Sequence, residues 1–177
     1  MALGPIPVGF RFYKDMIATY AIKHGLTPPL VAAVCWKESS FQANAFRFEP
    51  NFWNRYLKLN PLYRDLNPLR VSSSYGLMQV MYARVLEDKL TDNDALPPEH
   101  LFVPEMGLDT GCGFLAELMA WARKAGATGD LVLLAALAAY NGGRGGNHPI
   151  KDVPLRNGVY ARDVGARITA MAKEYGV

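Results

Sequence analysis

The sequence is short of several features that would each point to a class of protein. Cysteine occurs only twice in 177 residues, at Cys35 and Cys112. Each lies inside an apolar segment, so two buried free thiols are expected ahead of a disulfide, and neither belongs to a metal-type pair. Histidine occurs three times, at His24, His100 and His148, too scattered for a metal site. No metal or other cofactor is expected. No run of about 18 uncharged apolar residues exists, so no membrane span is expected. The stretch Met-Ala-Leu-Gly-Pro-Ile-Pro-Val at the start lacks the basic flank and long apolar run of a signal peptide. Charge excess is small, a net +3 without a basic block. That is too mild to imply nucleic acid, though it suits a polyanionic polymer as well as a merely soluble surface. Strand-period alternation of any length is missing, and so is an internal repeat. Only the polar stretch around Ser72 leaves room for a short hairpin.

What remains is an ordinary globular composition, half hydrophobic and a fifth charged. The length suits one domain over residues 1–177, with a core large enough to fold alone. The periodicity is helical. Tyr13, Met16, Ile17, Tyr20 and Ala21 share a face of a helix over Phe10 to His24, with Gly25 as its C′ residue. A second helix starts after Thr27, an N-cap, with Pro28 at its first position. After Pro50, Phe52, Trp53, Tyr56 and Leu57 fit one short helix. The spacing predicts further helices over Leu77 to Asp88 and over Glu105 to Lys124. The latter has acids at its start and Arg123 and Lys124 at its end, as the macrodipole favours. Asp130 is placed to cap a helix over Leu131 to Tyr140 that is apolar all round and so buried. The loop from Asn141 to Asn147 is glycine-rich. Tyr160, Val164, Ile168, Met171 and Tyr175 mark a last amphipathic helix. The expected class is mainly α.

One carboxylate stands out. In the second helix Leu30, Val31, Val34 and Cys35 recur at helical spacing, and the next position of that stripe is Glu38. Glu38 therefore points where the core should be. An isolated buried carboxylate is costly unless it is protonated or paired. A Glu held neutral near pH 7 is a general acid; a Glu paired at a helix end is a structural residue. Position alone leaves both readings open.

Four blocks now stand in order: Glu38-Ser39-Ser40-Phe41, Ser74-Tyr75-Gly76-Leu77-Met78-Gln79, Phe102-Val103-Pro104-Glu105 and Ala139-Tyr140-Asn141-Gly142-Gly143. With Tyr160-Ala161-Arg162-Asp163-Val164 they resemble the soluble lytic transglycosylases, which belong to the lysozyme-like superfamily that cuts the glycan strands of peptidoglycan. The resemblance covers the chain from about Leu26 to Val164. It implies a single lysozyme-like domain of the goose-type lysozyme and lytic transglycosylase kind. It also implies Glu38 as the sole catalytic acid/base and Ser39 as a neighbour that hydrogen-bonds near the reacting sugar. Met78 and Gln79 would line the subsite for the acetamido sugar, Tyr140 and Asn141 the cleft wall, and the Tyr160 hydroxyl would face the catalytic Glu. As alternatives, Met78 is core filler and Tyr160 an ordinary helix-start aromatic.

The resemblance also implies the reaction. Most glycosidases use two carboxylates, but a single one suffices where the substrate supplies the nucleophile. In this family the substrate's acetamido group stabilises the charged intermediate, and the muramyl 6-hydroxyl then closes a 1,6-anhydro product without water. The partner is thus peptidoglycan, with no nucleic acid and no membrane span, and a monomer is expected. The chain departs from the family pattern in an aromatic and arginine-rich insert at about residues 45–71. It is either a satellite hydrophobic cluster or an extra cleft wall whose aromatics stack on sugars. Glu49, within it, could place a water and make the enzyme a hydrolytic muramidase instead. A non-catalytic glycan-binding or virion structural module on the same fold is the alternative of another class. Without a signal peptide, a wall-cutting domain also fits a phage-encoded enzyme.

Overall fold

A computed structural model describes residues 3–87, 96–144 and 153–177, the side chains of 153–157 excepted. Its elements follow in chain order: α1 (Phe10–Lys23), α2 (Pro28–Ser39), β1 (Phe46–Phe48), α3 (Pro50–Phe52), a π-type turn (Trp53–Leu57), α4 (Pro68–Val71), β2 (Ser73–Tyr75), β3 (Val80–Met81), α5 (Tyr82–Glu87), a 3-10 turn (Pro98–Phe102), α6 (Pro104–Lys124), α7 (Asp130–Gly142) and α8 (Val153–Tyr175). The mainly α class expected from the sequence is what the chain forms. It divides into two compact units, Met1–Lys37 with Cys112–Val177, and Glu38–Gly111. The divisions fall inside α2 and α6.

Among the described residues, the regular elements of the first unit are all helices. Phe10, Ile17 and Ala21 form the buried face of α1. The helix stops at Gly25, whose φ of +68° only glycine adopts without cost. There Gly25 N–H donates to Ile22 O at 3.0 Å and Leu26 N–H to Ala21 O at 2.8 Å, closing the last carbonyls. α2 then starts as expected, with the Thr27 carbonyl accepting from Leu30 N–H and Val31 N–H. Every side chain from Leu30 to Trp36 is buried, so this helix is packed on all sides and not along one stripe. Ala135 to Ala139 are likewise buried in α7, which packs against α8, where Tyr160, Val164 and Met171 are buried. Each fully buried Val, Leu or Met contributes about 1.5–3 kcal/mol. The cap of α7 differs from expectation. Gly129, at φ +53°, holds the N-cap position and Asp130 is the first helical residue. Asp130 thus places charge near the helix N-terminus without capping it. Both Cys35 and Cys112 are buried and outside any disulfide, as expected. No described helix is long and apolar enough to cross a membrane.

The second unit is built on a small antiparallel sheet, ordered β1-β2-β3. Phe46 pairs with Tyr75 and Phe48 with Ser73, and Ser74 pairs with Met81 and Tyr75 with Val80. The helix expected over Leu77 to Asp88 is therefore corrected: Val80 and Met81 are strand, and α5 covers only Tyr82–Glu87, Asp88 lying outside the described residues. The cause is local. Gly76 at φ +75° and Gln79 at φ +48° reverse the chain around Leu77 and Met78. A Cβ on Gly76 would lie 2.1 Å from the Leu101 carbonyl oxygen, so no other residue fits. Ser72, Ser73 and Ser74 are buried. Ser72 Oγ donates to Glu49 O at 2.8 Å and Ser73 Oγ to Leu69 O at 2.5 Å, which removes the desolvation cost of those hydroxyls.

The insert at 45–71 contains β1, α3 and the π-type turn, so the single short helix expected there is broken after Phe52 into two windings. It also holds a short duplication, where no internal repeat was expected: Leu59-Asn60-Pro61-Leu62 and Leu66-Asn67-Pro68-Leu69. In each copy the Asn side-chain oxygen accepts from the N–H two residues on, at 3.0 Å for Leu62 and 2.9 Å for Leu69. Only the second continues into a helix, α4. Leu57, Tyr63 and Val71 anchor the insert by burial, while the four repeated leucines stay exposed.

Candidate active site

The Glu38 block ends α2, and the structure corrects one expectation about it. The unbroken buried run of the helix stops at Trp36, and Glu38 is part-buried, between exposed Lys37 and buried Ser39. Because the preceding helix is buried on every side, its periodicity could not single out a core face. The chain turns sharply just past Glu38. Ser40 and Phe41 both take left-handed backbone angles, φ +52° and +62°. Such angles cost a non-glycine residue about 1–3 kcal/mol each and collect at functional sites. The third described non-glycine residue of this kind is Gln79. All three lie in the blocks on which the resemblance rests. No role was assigned to Ser40 or Phe41 from the sequence, and backbone strain leaves no sequence signal that would have assigned one.

The first two blocks meet within the second unit. Buried Ser39 donates its hydroxyl to the Leu77 carbonyl at 2.7 Å. Its proton is thus committed to the backbone, and toward a sugar Ser39 acts only as an acceptor. Gln79 is buried and uses its Nε2 twice, donating to Ala45 O at 3.0 Å and Gly76 O at 3.1 Å. Ala45 O also accepts from Gly76 N–H at 2.9 Å. These bonds knot the turn to the start of the insert and leave the Gln79 carbonyl as the end of the amide suited to a ligand. Met78 is fully buried. A Cβ on Gly111 would come within 2.6 Å of its Sδ. In this structure Met78 is packing beneath the turn, the core-filler reading, and presents no surface to a subsite.

The remaining residues lie in the first unit. Tyr140 is part-buried, its ring 5.4 Å from that of Phe114. Asn141 is exposed in the last turn of α7, and Tyr160 is buried on α8. One turn beyond Tyr160, Asp163 binds Lys37 at 2.6 Å and also pairs with Arg167. Burial pushes the Asp163 carboxyl up, but hydrogen bonds and charge from Lys37 and Arg167 outweigh it, and its pKa is lowered.

Four other carboxylates of the second unit are engaged in ion pairs. Glu49 pairs with Arg47 at 2.5 Å, Asp65 with Arg64 at 3.4 Å, Glu87 with Arg84 at 3.5 Å and Glu99 with Arg70 at 2.9 Å. In the insert Tyr56 is 57% exposed. Its ring lies 5.2 Å from that of Phe52, with the Arg55 guanidinium 5.8 Å from its centre. Trp53 is part-buried.

Comparisons with known proteins bear on the fold and the family. The X-ray structure of an inactive glutamate-to-glutamine mutant of the lytic transglycosylase Slt from Pseudomonas aeruginosa matches with a TM-score of 0.61 at 16% identity, over 97% of this chain and 25% of that one. The chain thus spans about a quarter of that protein's length, and the fold is the lysozyme-like fold of a lytic transglycosylase. Residues 15–152 match the model of the transglycosylase SLT domain, and the chain belongs to that family. The Tyr160 block lies beyond the matched residues. No curated protein matches significantly.

Proposed function

We propose that this domain is a peptidoglycan lytic transglycosylase that cleaves the β-1,4 bond from N-acetylmuramic acid to N-acetylglucosamine and leaves a 1,6-anhydro-N-acetylmuramic acid end. The observation that supports it is Glu38 at a strained helix end, stitched through Ser39 to the Gly-Leu-Met-Gln turn, in a chain of the SLT family. In the Pseudomonas protein a glutamate-to-glutamine change is inactive, which supports dependence on a glutamate.

Glu38, protonated, gives its proton to the glycosidic oxygen as the bond to the muramyl C1 breaks. The neighbouring acetamido group stabilises the positive charge at C1. The muramyl 6-hydroxyl then attacks C1, and its proton passes to the Glu38 carboxylate, which restores the acid. No water is consumed. Ser39 Oγ and the Gln79 carbonyl accept hydrogen bonds from the sugar; Tyr140, Asn141 and Tyr160 are the further glycan-contacting residues that the family resemblance implies. The ring of Tyr56, packed against that of Phe52, stacks on a more distant sugar of the strand, and Trp53 adds a second aromatic of the insert.

The hydrolytic reading needs a second carboxylate to hold a water. Glu49 was the candidate, and its pairing with Arg47 speaks against that use. Digestion of purified sacculi in heavy-oxygen water separates the two. Anhydro ends without label are expected; label at the muramyl end with no anhydro product would establish a hydrolase.

A further inference from the structure

Lys37 immediately precedes Glu38, and its ammonium is held 2.6 Å from Asp163 Oδ2 on α8. The other Asp163 oxygen pairs with Arg167, one turn on, and Arg167 also donates to the Asp163 carbonyl at 3.2 Å. The Arg167 guanidinium lies 5.1 Å from the ring centre of buried Trp36, the residue before Lys37. Two consecutive residues at the end of α2 are therefore gripped by one short stretch of α8. The grip is costly to build. Arg167 Nε is buried and has no hydrogen-bond partner among the described residues, although an unsatisfied buried donor is usually avoided. A surface ion pair alone contributes little stability, so stability by itself accounts poorly for a network that tolerates this orphan.

We propose that Asp163 is a positioning residue: by gripping Lys37, with Arg167 braced on Trp36, it fixes the rotation of the last turn of α2 and hence the direction in which Glu38 projects. The inference rests on Glu38 being the acid/base. A helix end is where a backbone frays, and the strained Ser40–Phe41 turn beyond Glu38 gives it a reason to do so. Tyr160 lies one turn before Asp163 on α8, so the same contact also fixes the register of the helix that bears it.

The test uses Asp163→Asn, Lys37→Met and the charge-keeping Lys37→Arg, with kcat and KM on glycan strands and a thermal melt for each. Loss of orientation should lower kcat about tenfold in the first two variants with KM within about twofold, since small misplacements act on the chemical step. Lys37→Arg should restore most of the rate. The double variant Lys37→Met with Asp163→Asn should be no slower than either single one, because both remove the same contact. Unchanged kcat, additive losses, or a loss that merely follows a fall in melting temperature would overturn the proposal. Failure of the acid/base reading looks different: wild type itself would release no muropeptides, or Glu38→Gln would retain full activity.

Discussion

The hydroxyl of Ser39 and the carbonyl of Leu77 are 2.7 Å apart and buried. They join residues 38 positions apart in sequence, and they tie the end of the helix bearing Glu38 to a glycine-led turn. Replacing Ser39 by Ala leaves the Leu77 carbonyl unsatisfied, at a cost of about 1–3 kcal/mol. The expected outcome is a lowered denaturant midpoint with an unchanged slope, together with reduced activity. A variant as stable as wild type would show that water or a relaxed backbone replaces the bond.

Ser40 offers the opposite experiment. It is exposed and sits at φ +52°, so Ser40→Gly relieves backbone strain. The gain in the folded state is about 1–2 kcal/mol, reduced by glycine's greater freedom when unfolded. Stability should rise slightly while kcat falls, because the turn that follows Glu38 is no longer held. Chemical denaturation and initial rates on the same preparation check both halves.

These features show where the sequence was readable. Helix periods, the glycine stop after α1 and the two buried thiols follow from local chemistry, and they were legible. So was the order of the five blocks. The hairpin was legible only as room left around Ser72, and its second strand was read as helix, because the strands are only two or three residues long and Leu77-Met78-Gln79-Val80 fits helical spacing equally well. The reversal depends on Gly76 lying against the Leu101 carbonyl, a contact that becomes visible only once the chain has folded. The depth of Glu38 was misjudged for a related reason. A helix apolar on every side gives no phase from which to read one face.

The lowered pKa of Asp163 makes a signed prediction about pH. An acid whose folded pKa lies below its unfolded value of about 3.9 stabilises the fold above that value. The contribution disappears as pH falls through the folded pKa, because both states are then protonated. Asp163→Asn should therefore cost stability at neutral pH and lose that disadvantage in strong acid. Melts at pH 7 and pH 2.5 measure it; equal differences at both would mean that the ion pairs add nothing. Solvent exposure of the pair keeps the effect small.

Tyr56 is the aromatic in the insert with most surface to offer. Tyr56→Ala should raise KM on long glycan strands several-fold and leave short ones unaffected, with the melting temperature unchanged. Trp53→Ala, removing a part-buried ring, should lower both affinity and stability. If KM and kcat on long strands match wild type in a folded Tyr56→Ala protein, the insert is a hydrophobic satellite and takes no part in binding.

Glu38→Gln tests the centre of the proposal. Gln keeps the size and the hydrogen-bonding reach of Glu at the end of α2 but cannot give up and recover a proton. Turnover should fall by at least the roughly 10²–10⁴-fold typical of general acid–base catalysis. Binding should survive, since the acceptor at Ser39 and the knotted Gln79 turn are untouched. The two effects separate in a co-sedimentation assay: the variant should pellet with insoluble sacculi as wild type does while releasing no muropeptides. A Glu38→Asp variant adds a check on geometry, because it keeps the acid but withdraws it by one methylene. Its rate should fall strongly too, as misplacement by about 1 Å can cost about 10²-fold. If Glu38→Gln still cleaves at a wild-type rate, the proton comes from elsewhere, and Glu38 is the structural helix-end residue that its position also allowed.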